Sequence, residues 1–413
     1  MTDIVPRPTV RFANRALSTL WRQGFAPPPV LTAKALMEDA QRVSGLTEFN
    51  EPGLAARLER LAEALHEEAG LTALGRTLSY GGIRRALVQR LRCEAMLAAD
   101  LQIERRPVAA PIIIVGSMRS GTTRLQRLLA ADPRFVSTRL FEALNPAPDR
   151  SDRHRILATR GLQWASDRLN PAIRTIHPGG PRDSDEELGI LELALSGAQI
   201  EAQRPIPSWA RWMERTPQRG AYRWLKRWMQ LTGERRGDDP AKPWVLKTPQ
   251  YMQDLPELLQ VFPDARLIFI HRAPRQIVAS AASLAWNYMQ LQSDRVTPEW
   301  CGAEWLHKTA WRVESMQAFR RAHPHVAAID VRFEDMNDDW TREIGRIYDW
   351  LGLDPTAGPG STSGLENMRA YMARAQTRHL VTPHRYSLAE FGIQPAQVDE
   401  RLGSYAEDFD LSR

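Results

Sequence analysis

The sequence predicts an α/β protein: a central parallel sheet flanked by helices in three layers, preceded by an N-terminal helical region. Short β-branched or apolar runs recur at 112–115, 244–247, 266–271 and 326–331, as expected of strands buried on both faces. The first and third run straight into a turn and then helical apolar spacing, the step from which parallel sheets are built. Residues 32–100 differ, with leucine and alanine at helical spacing throughout.

Residues 1 to about 30 are polar and end in Pro27, Pro28 and Pro29, which reads as an irregular lead-in. Helices are expected over Ala33–Val43, Gly53–Glu68 and Ile83–Ala98, separated by Asn50-Glu51-Pro52-Gly53 and by Gly81-Gly82. The chain then divides into a helical region, 1–105, and a P-loop-like α/β domain, 106–413. The helical region would pack against that domain or against a second subunit, so a homodimer is one arrangement it allows.

The stretch around which the rest is organised is Pro111–Leu129. Ile112 to Val115 form the strand, Gly116 to Gly121 a tight polar turn, and Thr122 and Thr123 open a helix with Leu125, Leu128 and Leu129 on its apolar face. Such a turn aims backbone N–H groups and a helix dipole at an anion. It is P-loop-like, but departs from G-x-x-x-x-G-K-[ST] in having Thr122 where the lysine belongs. The cation sits inside the loop instead, at Arg119, whose guanidinium can fork onto a terminal anionic group.

Further along, Phe141-Glu142-Ala143-Leu144 follows a chain break, and 157–169 reads as a helix. His177 precedes the Pro178-Gly179-Gly180-Pro181 turn; the acidic cluster Asp183, Asp185, Glu186 and Glu187 reads as a solvated helix start, or as a selector of cationic acceptors. Amphipathic tryptophan-rich helices span about 205–243. The strand Trp244–Leu246 ends in Lys247, placed to face a ligand crevice at the sheet's carboxyl edge. Arg266–His271 is another strand; Arg272 stands at its end and Ser280 about two turns into the next helix. A last strand lies near 326–331, and a helix over Trp340–Leu351 closes at Gly352.

With Arg-Ser-Gly-Thr-Thr intact at 119–123, the loop resembles the 5′-phosphosulfate-binding loop of sulfotransferases that use 3′-phosphoadenosine 5′-phosphosulfate (PAPS). Arg272 with Ser280 is similar to the 3′-phosphate element of that family, and the likeness runs in order over about 111–392. The resemblance implies sulfuryl transfer from PAPS to a hydroxyl or amine, leaving 3′,5′-adenosine bisphosphate. It implies that Ser117, Arg119, Ser120, Gly121, Thr122, Thr123, Arg272 and Ser280 hold the donor, with Arg119 and Lys247 stabilising the transferring group. It offers two bases, Glu142 in one branch and His177 by analogy with the cytosolic enzymes, and leaves the choice open. The tail from Arg378 to Ser387, with Phe391-Gly392, matches the closing segment of bacterial members.

Composition narrows the alternatives. A net charge of +6 and a pI near 9.5 suit an anionic ligand but are too small and dispersed for nucleic acid. Cys93 and Cys301 have no metal or redox spacing, which fits a reducing cytoplasm. Neither a signal peptide nor a membrane span is read from the sequence, and no metal-ligand set is recognised. The acceptor is left as a small molecule, carbohydrate or lipid. A P-loop kinase or nucleotide hydrolase would need the missing lysine, and a non-catalytic protein of this fold would bind PAPS without turning it over.

Overall fold

The computed structural model describes residues 8–173, 178–358, 362–378 and 386–411. Five strands make one parallel sheet: β1 (Ile112–Gly116), β2 (Val136–Ser137), β3 (Trp244–Lys247), β4 (Arg266–His271) and β5 (Ala328–Arg332), in the order β2-β3-β1-β4-β5. Every pairing is parallel, with Ile113 opposite Leu246 on one side and Leu267 on the other. β1 is buried along its whole length because both neighbours and both helical layers cover it. One core, with Ile113, Val115, Leu246 and Leu267, lies under the tryptophan-bearing helices; the other, with Ile112, Ile114, Ile268 and Ile270, lies on the opposite face. The alternation follows from the two-residue side-chain period.

The four anticipated strands form where expected, while β2 was not foreseen. At two residues it has no periodicity to read; its Val136 N–H is fixed by the Pro243 carbonyl at 2.9 Å.

The N-terminal region holds α1 (Pro8–Arg22), α2 (Ala33–Ser44), α3 (Leu54–Glu67) and α4 (Ala73–Ala99). Two expectations are corrected. The lead-in is largely helical, since α1 buries Val10 against Leu74 and Leu291. Gly81-Gly82 is no turn but the middle of α4, which starts where the Thr72 hydroxyl accepts from Gly75 N–H. Packing of Leu87, Val88 and Leu91 outweighs a glycine cost of about 1 kcal/mol per residue. Ala86, Cys93 and Leu97 of α4 belong to the main core. Among the described residues, no helix is long and apolar enough to cross a membrane.

Candidate active site

β1 delivers the chain into a loop whose two ends only glycine allows. A Cβ at Gly116 would lie 2.5 Å from Ile270 Cγ2 and 2.8 Å from its carbonyl oxygen. Gly121 has φ +89°, and a Cβ there would meet the Phe333 ring at 2.6 Å. Between them, Ser120 donates from N and Oγ to Ser117 O at 3.2 and 2.7 Å, closing the turn. Arg119 takes φ +68°, a left-handed conformation costly for a side-chain-bearing residue and typical of functional loops. Helix α5 (Thr122–Leu129) follows, and Leu125, Leu128 and Leu129 anchor it in the core. The loop amides and the start of α5 thereby share the carboxyl edge of the sheet.

Cations from two strands meet there. Arg119 Nε donates to Ser280 Oγ at 3.1 Å, and Arg272 Nη1 donates to the Arg119 carbonyl. Arg272 also lies 4.0 Å over the Phe333 ring. A third arginine, passed over in the sequence, joins them: Arg124 sits 5.5 Å over the same ring and donates to Asn337 at 2.8 Å. Its Nε and Nη2 are buried with no hydrogen-bond partner among the described residues. Burial loosens the proton of all three guanidinium groups, so a bound anion would relieve a real desolvation penalty. The Tyr386 phenol acts electrostatically on Arg119 and Arg272, which brings the closing segment to the same point. Residues 379–385 of that segment lie outside the described residues.

On the other side of β1, Lys247 ends β3 with its side chain fully buried. Its Nζ donates to Thr123 Oγ1 at 3.1 Å and forms an ion pair with Glu186. Its backbone N–H and the Tyr251 hydroxyl both donate to Glu187 Oε2 at 2.8 Å. Burial pushes the Glu187 carboxyl up to about 8, against the lowering effect of those two donors.

The solvated reading of this acidic cluster is therefore corrected. Asp185 N–H donates to Thr138 O at 2.9 Å, while Gln126 and Arg127 donate to the Asp185 and Ser184 carbonyls at 3.0 Å. These bonds lay the segment along α5 and turn both glutamates inward. Adjacent carboxylates before a short apolar run carry no sequence signal for that.

Glu142 lies in α6 (Leu140–Leu144) and is buried, but its oxygens are taken. Arg236 Nε donates to Oε1 and the Arg139 N–H to Oε2, both at 2.8 Å. It caps a helix and neutralises an arginine, and it bonds to neither the loop nor Lys247. His177 lies outside the described residues. Ser117, Ser120, Thr122 and Ser280 are buried around the loop.

The arrangement thus has a cluster of arginines around the loop on one side of β1 and a lysine–carboxylate pair against Thr123 on the other. A sulfotransferase family model matches residues 111–357, which span all of it. Omega-hydroxy-beta-dihydromenaquinone-9 sulfotransferases of Mycobacterium bovis and Mycobacterium tuberculosis are each 24% identical over 352 residues, covering 73% of this chain and 76% of theirs. The crystal structure of sulfotransferase STF1 from Mycobacterium tuberculosis superposes with a TM-score of 0.76 at 27% identity, over 91% of this chain and 100% of that one. Sulfotransferase STF9 from Mycobacterium avium shares the fold, with a TM-score of 0.79, 23% identity and coverage of 93% and 98%. Family match and fold agree: this chain belongs to the sulfotransferase family, and its reaction is sulfuryl transfer.

Proposed function

We propose that the donor is PAPS and that Lys247 and Glu186 serve the transfer step. The observation that carries this is the joining of Arg119 to Ser280 and of Arg272 to the Arg119 carbonyl, which brings the loop and the β4 exit into one anion cradle. The loop amides, Ser117, Ser120, Gly121, Thr122, Thr123 and Arg119 would hold the 5′-phosphosulfate. Arg272 and Ser280 would hold the 3′-phosphate, the group that separates PAPS from ATP.

In the reaction the acceptor oxygen or nitrogen bonds to sulfur in line as the bond from sulfur to the bridging phosphate oxygen breaks. Negative charge grows on that leaving oxygen, and preorganised cations lower the barrier. Lys247 Nζ, beside Thr123, suits that oxygen. Glu186, paired with Lys247, suits the acceptor's proton better than Glu142, whose oxygens are occupied, and His177 is the competing base. The acceptor is a hydroxyl or amine of a small molecule, carbohydrate or lipid; the curated relatives, named for a hydroxylated menaquinone, favour the lipid. Buried free thiols at Cys93 and Cys301 support a reducing, cytoplasmic setting.

Calorimetric titration with 3′,5′-adenosine bisphosphate, AMP and ATP·Mg tests the donor. Micromolar binding of the bisphosphate above both others is the expected result, and preference for ATP·Mg would overturn it.

A further inference from the structure

Among the described residues nine large apolar side chains stand exposed, and only Val43 and Leu101 lie outside two short stretches. Phe12 (74% exposed), Leu20, Phe25 (75%) and Val30 come from α1 and the chain just after it. Leu157, Leu162 and Trp164 (63%) come from α7 (Asp152–Leu169). The inner sides of these helices are already satisfied, since Val10, Ala13 and Leu17 of α1 share a cluster with Leu169 at the end of α7. The outward aromatic and leucine side chains are surplus to the core.

The same elements are strongly basic. α1 carries Arg11, Arg15 and Arg22 and no carboxylate, and α7 exposes Arg153, Arg160 and Arg168. Of the two α7 aspartates, Asp152 pairs with Arg155. Arg168 lies 5.2 Å over the Trp164 ring, keeping cation and indole together at the surface.

We propose that the outward faces of α1 and α7 dock on an anionic lipid bilayer. Exposed tryptophan, phenylalanine and leucine interspersed with arginine is the pattern of helices that lie in a membrane interface, where rings enter the headgroup layer and cations meet lipid phosphates. A second copy of the chain is the poorer partner: a two-fold contact through this patch would set arginines against arginines.

The position gives the docking a use. Immediately after α7, Asn170 donates to the Asn287 carbonyl at 2.8 Å, and Gln163 of α7 donates to the Gly179 carbonyl at 2.9 Å, on the segment that leads to Glu186. The patch therefore adjoins the acceptor side of the site, where a membrane-borne acceptor would arrive. That use rests on the proposed lipid acceptor, whereas the docking itself does not.

The test is co-sedimentation of the full chain with vesicles of phosphatidylcholine alone or mixed with phosphatidylglycerol. Binding to the mixed vesicles at least about ten-fold above phosphatidylcholine, and reversed by salt, is expected. A Phe12→Ser, Phe25→Ser, Trp164→Ser variant should lose about ten-fold or more of that binding. An Arg11→Gln, Arg15→Gln, Arg22→Gln variant should lose the preference for anionic lipid. Unchanged melting and bisphosphate binding would show that the variants are folded; if neither parent nor variants bind bisphosphate, the donor reading fails separately. Absence of binding by the parent chain, equal binding by parent and variants, or a parent dimer that the aromatic variant dissociates would each overturn the proposal.

Discussion

At the scale of single residues the proposed donor cradle makes the sharpest demands. Arg272→Ala should weaken 3′,5′-adenosine bisphosphate binding by about 1.5–3 kcal/mol, the worth of a charge-assisted contact, and AMP binding much less. Arg124→Leu should give a smaller loss of about 1–2 kcal/mol, because its Nε and Nη2 are buried and have no partner among the described residues. Equal losses for bisphosphate and AMP in Arg272→Ala would remove Arg272 from the 3′-phosphate, and unchanged bisphosphate affinity in Arg124→Leu would remove Arg124 from the cradle. The turn that runs through Arg119 to Thr123 was legible in the sequence because loop geometry is local and glycine spacing records it. Glu186 was not, because its meeting with Lys247 depends on hydrogen bonds from Gln126 and Arg127 across a separation of about sixty residues. Glu142 shows the converse: its position in the chain suggests a base, and Arg236, far along the sequence, occupies it.

At the scale of elements β3 is held in place by a buried carboxyl. Glu187 bonds to the Lys247 N–H and the Tyr251 hydroxyl, and burial raises it to about 8 from 4.5. Below about pH 4.5 it is protonated folded or unfolded, so pH has no effect through this group. Between about 4.5 and 8 the unfolded chain has lost the proton and the folded one keeps it, so stability falls as pH rises. Glu187→Gln should flatten this part of the stability–pH profile, by at most about 1.4 kcal/mol per pH unit. Denaturant melts of both proteins from pH 5 to 8 check it, and parallel profiles would refute the shift. The strands themselves were readable from β-branched runs. Helix limits were less so: α4 passes through Gly81-Gly82 because long-range packing overrides local propensity, and β2 exists only through its neighbours.

At the scale of the whole molecule the helix α8 (Pro395–Asp408) is tied to the proposed donor site. The His271 ring ends β4 beside Arg272, with Nε2 2.8 Å from Asp330 and Nδ1 3.0 Å from the Tyr405 hydroxyl of α8. The Arg272 backbone also acts electrostatically on the Tyr405 hydroxyl. Burial lowers the His271 pKa while Arg320 and His271 hold Asp330 well below the usual carboxylate range. The ring is therefore neutral: Nε2–H donates to Asp330, and Nδ1 accepts from Tyr405. Tyr405→Phe leaves Nδ1 buried without that partner, at a cost of about 1–3 kcal/mol. Melting should drop accordingly. Because the His271 ring next to Arg272 loses its tie to α8, bisphosphate affinity should fall too, with little change in whatever AMP binding remains. A variant that melts lower yet binds the bisphosphate as tightly as the parent would make α8 a structural buttress alone. A selective loss would show that the β4 arginine is positioned from the far end of the chain, by contacts that no local sequence pattern records.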